Sequence, residues 1–151
     1  MKVLFDTNVI VDVFQRNAFC LHSFAAYDVC LLRNYEPYLA ASTLSDLAYL
    51  FRRRLPSATM TSHEMLGSVL ELFRILDVAE ADCRAAYRSS MPDFEDALIA
   101  FAAQRCGVDL IVTRNLKDFA ASPVPCMTPQ AFVETCKPHG VSYEDITLSE
   151  A

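Results

Sequence analysis

Acids and amides recur directly after short apolar runs in this sequence. Asp6, Thr7 and Asn8 follow Val3 to Phe5; Ser42, Thr43, Ser45 and Asp46 follow the run Tyr38 to Ala41; Thr113, Asn115 and Asp118 follow Leu110 to Val112. A fourth group, PDFEDALIAF from Pro92, sets Asp93 and Asp96 three residues apart, on neighbouring positions of one helix face. Each acid also has a local explanation. Asp93 suits an N-cap after Pro92, with Asp96 in the first turn near the positive end of the helix dipole. Ser42 suits the cap of the following helix, with Ser45 and Asp46 in its first turn, Asp118 a turn and Asp6 an Asx-turn. Taken together, however, four carboxylates at one edge of a sheet would repel one another and lose solvation, and a divalent cation resolves that conflict. Oxygen donors without Cys or His favour Mg²⁺ or Mn²⁺ over zinc. Such an ion, singly or as a pair, activates water and stabilises charge on a phosphoryl group. Asp6 is therefore read as a metal ligand held rigidly by a buried strand.

The elements that must position these acids can be read from the apolar pattern. Short β-rich runs at Lys2 to Phe5, Tyr38 to Ala41, Ile75 to Val78, Leu110 to Val112 and Val124 to Met127 predict about five strands. Helical periodicity predicts helices over Phe19 to Leu32, Leu44 to Leu55, Ser62 to Phe73, Glu80 to Arg88, Phe94 to Cys106 and Pro129 to Cys136. This alternation implies an α/β fold: a single domain whose central, mainly parallel sheet is flanked by helices. Strands buried on both faces read as continuous apolar runs, and these do. Pro37 before the second strand, Pro56 after the arginine-rich helix, Pro92 before a helix start and Gly107 at a helix stop agree. In an open parallel sheet, ligands bind beyond the carboxyl ends of the strands near the reversal of strand order, where the acids fall.

At 151 residues the chain is the size of one domain. Residues 1–136 are predicted to form it. Residues 137–151, with Pro138, Gly140 and the acids Glu144, Asp145 and Glu150, form a tail of weak periodicity that is predicted to be partly mobile. Its apolar runs are too short to span a bilayer, so no membrane partner is expected. Asp6 interrupts the first apolar run too early for a signal peptide, which predicts a cytoplasmic protein. Six widely spaced cysteines with no C-x-x-C pair read as buried thiols in a reducing compartment. The net charge of -6 argues against coating nucleic acid by bulk electrostatics but allows a local basic patch, such as the run Arg52 to Arg54 or Arg114 and Lys117. On its own, that run reads as a solvated helix end.

Three glycines cannot build a phosphate-cradling loop, and no G-x-S-x-G elbow exists. A haloacid dehalogenase-like phosphotransferase would want a second Asp two residues after the first, where this chain has Asn8.

The set FDTNVIVD, TLSDLAYLFRR, PDFEDALIAFAAQ and LIVTRNLKDF, in this order and spacing, resembles the PIN-domain ribonucleases, most closely the bacterial VapC-type toxins of toxin–antitoxin pairs. The resemblance runs from Met1 to Cys136. It implies a PIN-like parallel sheet and an acidic cluster that binds Mg²⁺ or Mn²⁺ and hydrolyses RNA phosphodiester bonds, with transfer or ribosomal RNA as the substrate. It matches Asp6 and Asp96 to family acids that hold the ion, and puts Asp46 where most members have Glu. The last acid matches Asn115 or Asp118. Asp6, Asp46, Asp96 and Asp118 are thereby predicted to be catalytic, and Asp6, Asp93, Asp96 and Asp118 to hold metal. Asn8, Thr113 and Asn115 would orient carboxylates. Arg52, Arg53, Arg114 and Lys117 are predicted to hold the RNA backbone. The resemblance further implies a homodimer silenced by a cognate antitoxin segment over the active-site groove. Phe14, Phe19 and Tyr49 are candidate contacts for it, although as aromatics they are more readily placed in the core. Two alternatives remain: a housekeeping PIN nuclease that processes RNA, and a PIN-like interaction module with weakened catalysis.

Overall fold

The structure is a computed structural model and describes residues 1–55, 57–144 and 146. Five strands form one parallel sheet: β1 (Lys2–Phe5), β2 (Glu36–Ala40), β3 (Arg74–Leu76), β4 (Leu110–Val112) and β5 (Cys126–Met127). Their order is β3-β2-β1-β4-β5. The chain thus runs outward from β1 on one side and then returns to build β4 and β5 on the other. Val3 pairs with Pro37 on one side and with Leu110 on the other. The switch point lies between β1 and β4, where an open parallel sheet binds its ligand.

Seven helices among the described residues cover the sheet: α1 (Thr7–Gln15), α2 (Cys20–Leu32), α3 (Ala41–Arg53), α4 (Ser62–Leu72), α5 (Glu80–Arg88), α6 (Phe94–Arg105) and α7 (Pro129–Cys136). Alternation along the strands divides the core in two. Val3, Phe5, Leu110 and Val112 pack with Val9, Val29, Leu47, Val69 and Phe132 on one face, while Leu4 and Ile111 meet Ala97, Ala100 and Ala103 of α6 on the other. No described helix is long and apolar enough to cross a membrane.

The sequence reading assigned no element to residues 7–18, and α1 fills most of that gap. Val9, Ile10, Val11 and Val13 are β-branched and depress local helix propensity, but burial of Val9 and Ile10 against the sheet overrides it. The helix ends at Arg16, whose φ of 51° lies in the left-handed region. A second correction concerns α3, which begins at Ala41 rather than Leu44; Ala40 is its N-cap without a side-chain bond, so Ser42 is helical and not a cap. Other predicted ends agree or move by at most two residues. Gly107, at φ +69°, follows α6 in the left-handed conformation that stops a helix.

Thr61 and Glu64 form a capping box at the start of α4, and Thr128 caps α7 with Pro129 in its first turn. Asp82 of α5, almost wholly buried, binds Arg105 of α6 at 2.8 Å and joins the two helices. Beyond α7, the hydroxyl of Tyr143 donates to Asp28 of α2 at 2.6 Å. Pro56, Asp145 and Glu150 lie outside the described residues. All six cysteines are free; Cys20 and Cys30 are buried as expected, but Cys83 is exposed on α5.

Candidate active site

Asp6 leaves the end of β1 in extended conformation and caps α1, with Oδ1 accepting from the Thr7 amide at 2.7 Å. Its Oδ2 accepts from Asn8 Nδ2 and from the Thr113 hydroxyl, both at 2.7 Å. A carboxylate offers about four lone-pair sites, so three donors leave one for a further ligand. Thr113 follows β4, the parallel neighbour of β1, and its side chain is fully buried. The Asp6 carboxyl is held above the usual carboxylate range by burial, which outweighs the lowering by Thr113, Thr7 and Arg114, with Asp93 adding to the rise.

Asp96 stands in the first turn of α6, and its amide donates to Asp93 Oδ1 at 3.0 Å, so Asp93 is the N-cap the sequence suggested. Burial, and then the charges of Asp6, Asp93, Asp118 and Glu95, push the Asp96 carboxyl up to about 7. Asn115 spans two acids: its Nδ2 donates to Asp118 at 2.7 Å and to Asp96 at 3.3 Å. Of the two residues the family match left open, Asn115 therefore touches Asp96 directly, and Asp118 reaches it through Asn115.

A cavity of about 560 Å³ opens over these groups, lined by Asp6, Asn8, Asp46, Glu95, Asp96 and Arg114, with Tyr49 and Arg54 at the α3 side. Asp46 lies on α3, one helix turn in, and burial followed by Glu95 and Asp6 raises its carboxyl pKa. Three of the predicted acids thus meet, and Asp93 and Asp118 stand just behind them. Glu95 is a wall residue that the sequence reading missed. Its signal was present in FED, but attention to the three-residue spacing favoured the two aspartates beside it.

The predicted cations are placed differently. Arg52 and Arg53 are exposed in the last turn of α3 and do not line the cavity, and neither does Lys117; Arg54, just past the helix end, does. Arg114 lines it too, but its Nε is held by Asp12 Oδ2 at 2.7 Å and its guanidinium lies 4.4 Å from the centre of the Phe19 ring. Asp12 is fully buried and also accepts from Ser23 and Asn17. Of the three aromatics, Phe14 packs against Phe51 in the core, whereas Phe19 and Tyr49 are 48% and 58% exposed, so a core reading fails for those two.

The lining acids Asp6, Asp46, Glu95 and Asp96 offer only oxygen donors, and such donors fit a hard divalent cation. Among the described residues, no three His, Cys, Asp or Glu side chains are gathered closely enough to hold a metal ion. The chemistry fits, while the ligand set is not closed.

Known proteins agree with the architecture. FitAcB from Neisseria gonorrhoeae is 27% identical with a TM-score of 0.63, over 84% of this chain and 97% of that one. VapBC2 from Rickettsia felis, bound to a DNA fragment from its promoter, is 20% identical with a TM-score of 0.64, over 85% and 98%. DNA-bound VapBC from Salmonella typhimurium is 19% identical with a TM-score of 0.61, over 85% and 98%. No curated protein sequence matches the chain. The family model described as PIN domain matches residues 2–117, which includes β1 through β4 and every acid lining the cavity, and the chain belongs to the PIN-domain family.

Proposed function

We propose that the chain is a divalent-metal-dependent endoribonuclease that hydrolyses RNA phosphodiester bonds and serves as the toxin of a toxin–antitoxin pair. The observation that carries the reading is the meeting of Asp6, Asp46, Glu95 and Asp96 in one open cavity at the switch point of a parallel sheet. Asp6 and Asp96 would hold Mg²⁺ or Mn²⁺, with Asp46 and Glu95 on the cavity wall and Asp93 and Asp118 behind them. A bound cation supplies an activated water and neutralises charge at the phosphoryl group. The protein's own contribution is rigidity. Asn8 and Thr113 fix the plane of the Asp6 carboxylate, Asp93 anchors the backbone of Asp96, and Asn115 keeps Asp96 and Asp118 in register. Arg54 and Arg114 at the cavity edge would engage backbone phosphates.

The likeness to the VapBC complexes, with membership of the PIN-domain family, supports an antitoxin partner; a homodimer, a cytoplasmic setting and transfer or ribosomal RNA as substrate join the proposal through the sequence resemblance. Exposed Tyr49, at the cavity rim, suits contact with a segment laid over it. The test is cleavage of end-labelled transfer RNA and ribosomal RNA fragments by purified protein with Mg²⁺ or Mn²⁺. Discrete cuts, lost with chelator and in Asp96→Asn, are expected. Cation binding without any cut in either RNA would overturn the substrate, and absence of cation binding would leave an interaction module. A small protein encoded beside this one that abolishes the cuts would separate a toxin from a housekeeping nuclease.

A further inference from the structure

Arg114 is shared by two cavities. One is the acidic cavity; the other, of about 240 Å³, is lined by Phe19, His22, Arg114 and Gln130, with Ser23, Thr128 and Pro129 completing it. We propose that this second cavity is a nucleobase subsite, in which a base of the RNA strand stacks on the Arg114–Phe19 pair beside the phosphate bound in the acidic cavity. The proposal rests on the ribonuclease reading above and deepens it.

Three features point to a base. The first is a flat platform: the guanidinium lies 4.4 Å from the centre of the Phe19 ring, and its Nε is pinned by the fully buried Asp12. Unstacked RNA bases are held by aromatic rings and by arginine planes, and here the two are already joined with their orientation fixed. The second is the hydrogen-bonding complement. Ser23 is engaged with Asp12 and Thr128 caps α7. Gln130 and His22, both exposed, remain to meet a base edge; among the described residues, Gln130 Nε2 donates to Glu134 at 3.1 Å and its side-chain carbonyl has no partner. The third is placement. The Arg114 amide donates to Asn8 Oδ1, and Asn8 Nδ2 donates to Asp6, so the platform and the reacting acids are tied through one side chain. The cavity, of about 240 Å³, has room for a planar heterocycle.

The test uses the full chain carrying Asp96→Asn, so that binding is read without cleavage. Fluorescence anisotropy is measured on short single-stranded oligoribonucleotides and on versions in which one base at a time is replaced by an abasic ribose. One position should show a loss of roughly tenfold in affinity when its base is removed, the scale of one stacked base. Adding Phe19→Ala should abolish that penalty while binding to the abasic strand is unchanged. Gln130→Ala and His22→Ala, at exposed positions that leave the fold alone, should alter the ranking of the four bases at that position. The proposal is overturned if no abasic position weakens binding more than about twofold, or if the penalty persists in Phe19→Ala and the base ranking persists in Gln130→Ala and His22→Ala. Failure of every oligoribonucleotide to bind would overturn the ribonuclease reading itself, and the subsite with it.

Discussion

Arg114 Nε donates to Asp12 Oδ2 over 2.7 Å, and the carboxylate that receives it has no solvent exposure. Asn17 and Ser23 complete the Asp12 shell. Removing one partner of a buried pair leaves an uncompensated charge, at about 3 to 5 kcal/mol; because the Arg114 side chain is 32% exposed, the lower end applies. Arg114→Ala should therefore lose about 3 kcal/mol in urea unfolding. Arg114→Lys should recover only part of it, since an ammonium cannot present the Nε fork. A loss below about 1 kcal/mol for the alanine variant would mean that Asn17 and Ser23 satisfy Asp12 unaided.

Asp96 leads to a prediction of opposite sign. Its carboxyl is raised to about 7, against 3.8 ordinarily, so the ionised form is disfavoured in the fold. A carboxylate raised in this way opposes folding above its folded-state pKa and is relieved below it. The Tm of the protein in chelator should rise as the pH falls from 8 to 5. Asp96→Asn should raise the Tm at pH 8, flatten that rise and abolish cleavage. Equal melting of the two proteins at pH 8 would contradict the repulsion.

Asn115 joins two acids that would otherwise separate. Groups that orient ligating carboxylates typically contribute 10- to 100-fold in metal affinity or activity. Asn115→Ala should lose that much in kcat or in Mn²⁺ affinity while melting within about 2 °C of the parent. Unchanged turnover in both Asn115→Ala and Asp118→Asn would remove this corner from the site.

Asp46 stands on the cavity wall, at the position where the sequence resemblance implies a Glu in most PIN-domain relatives. One more methylene advances the carboxylate toward Asp6 and Asp96 by about 1.5 Å. Asp46→Glu should bind Mn²⁺ several-fold more tightly in a calorimetric titration. Weaker binding would show that Asp46 already sits at its working distance.

The sheet was legible in the sequence because its central strands β1 and β4 are buried on both faces and read as unbroken apolar runs, each followed by polar residues at the edge where ligands bind. Asp6 followed from that placement, whereas Asp96 came from its three-residue spacing after Asp93 at a helix start and from the family resemblance. Helix α1 was hidden by its own composition, since Val9, Ile10, Val11 and Val13 carry strand preference and only their burial makes them helical. That omission concealed Asp12 as well: once α1 is a helix, Asn8 and Asp12 are four residues apart on one face, and both reach the segment after β4. Glu95 and Arg54 escaped for a different reason. Exposed charges at helix ends look alike in sequence, and only the path of the backbone decides which of them turns toward a cavity.

The central position of β1 has a consequence for the order of events during synthesis. The Thr113 hydroxyl that orients Asp6 is made 107 residues after it, and the neighbouring strand β4 arrives just before. Long-range parallel pairing forms only after both strands are available. A ribosome making this chain therefore carries an unfinished site throughout the span between β1 and β4. Asp6 meets its orienting hydroxyl only when the segment through residue 113 has left the exit tunnel, so topology itself sets the order in which the acid cluster is assembled.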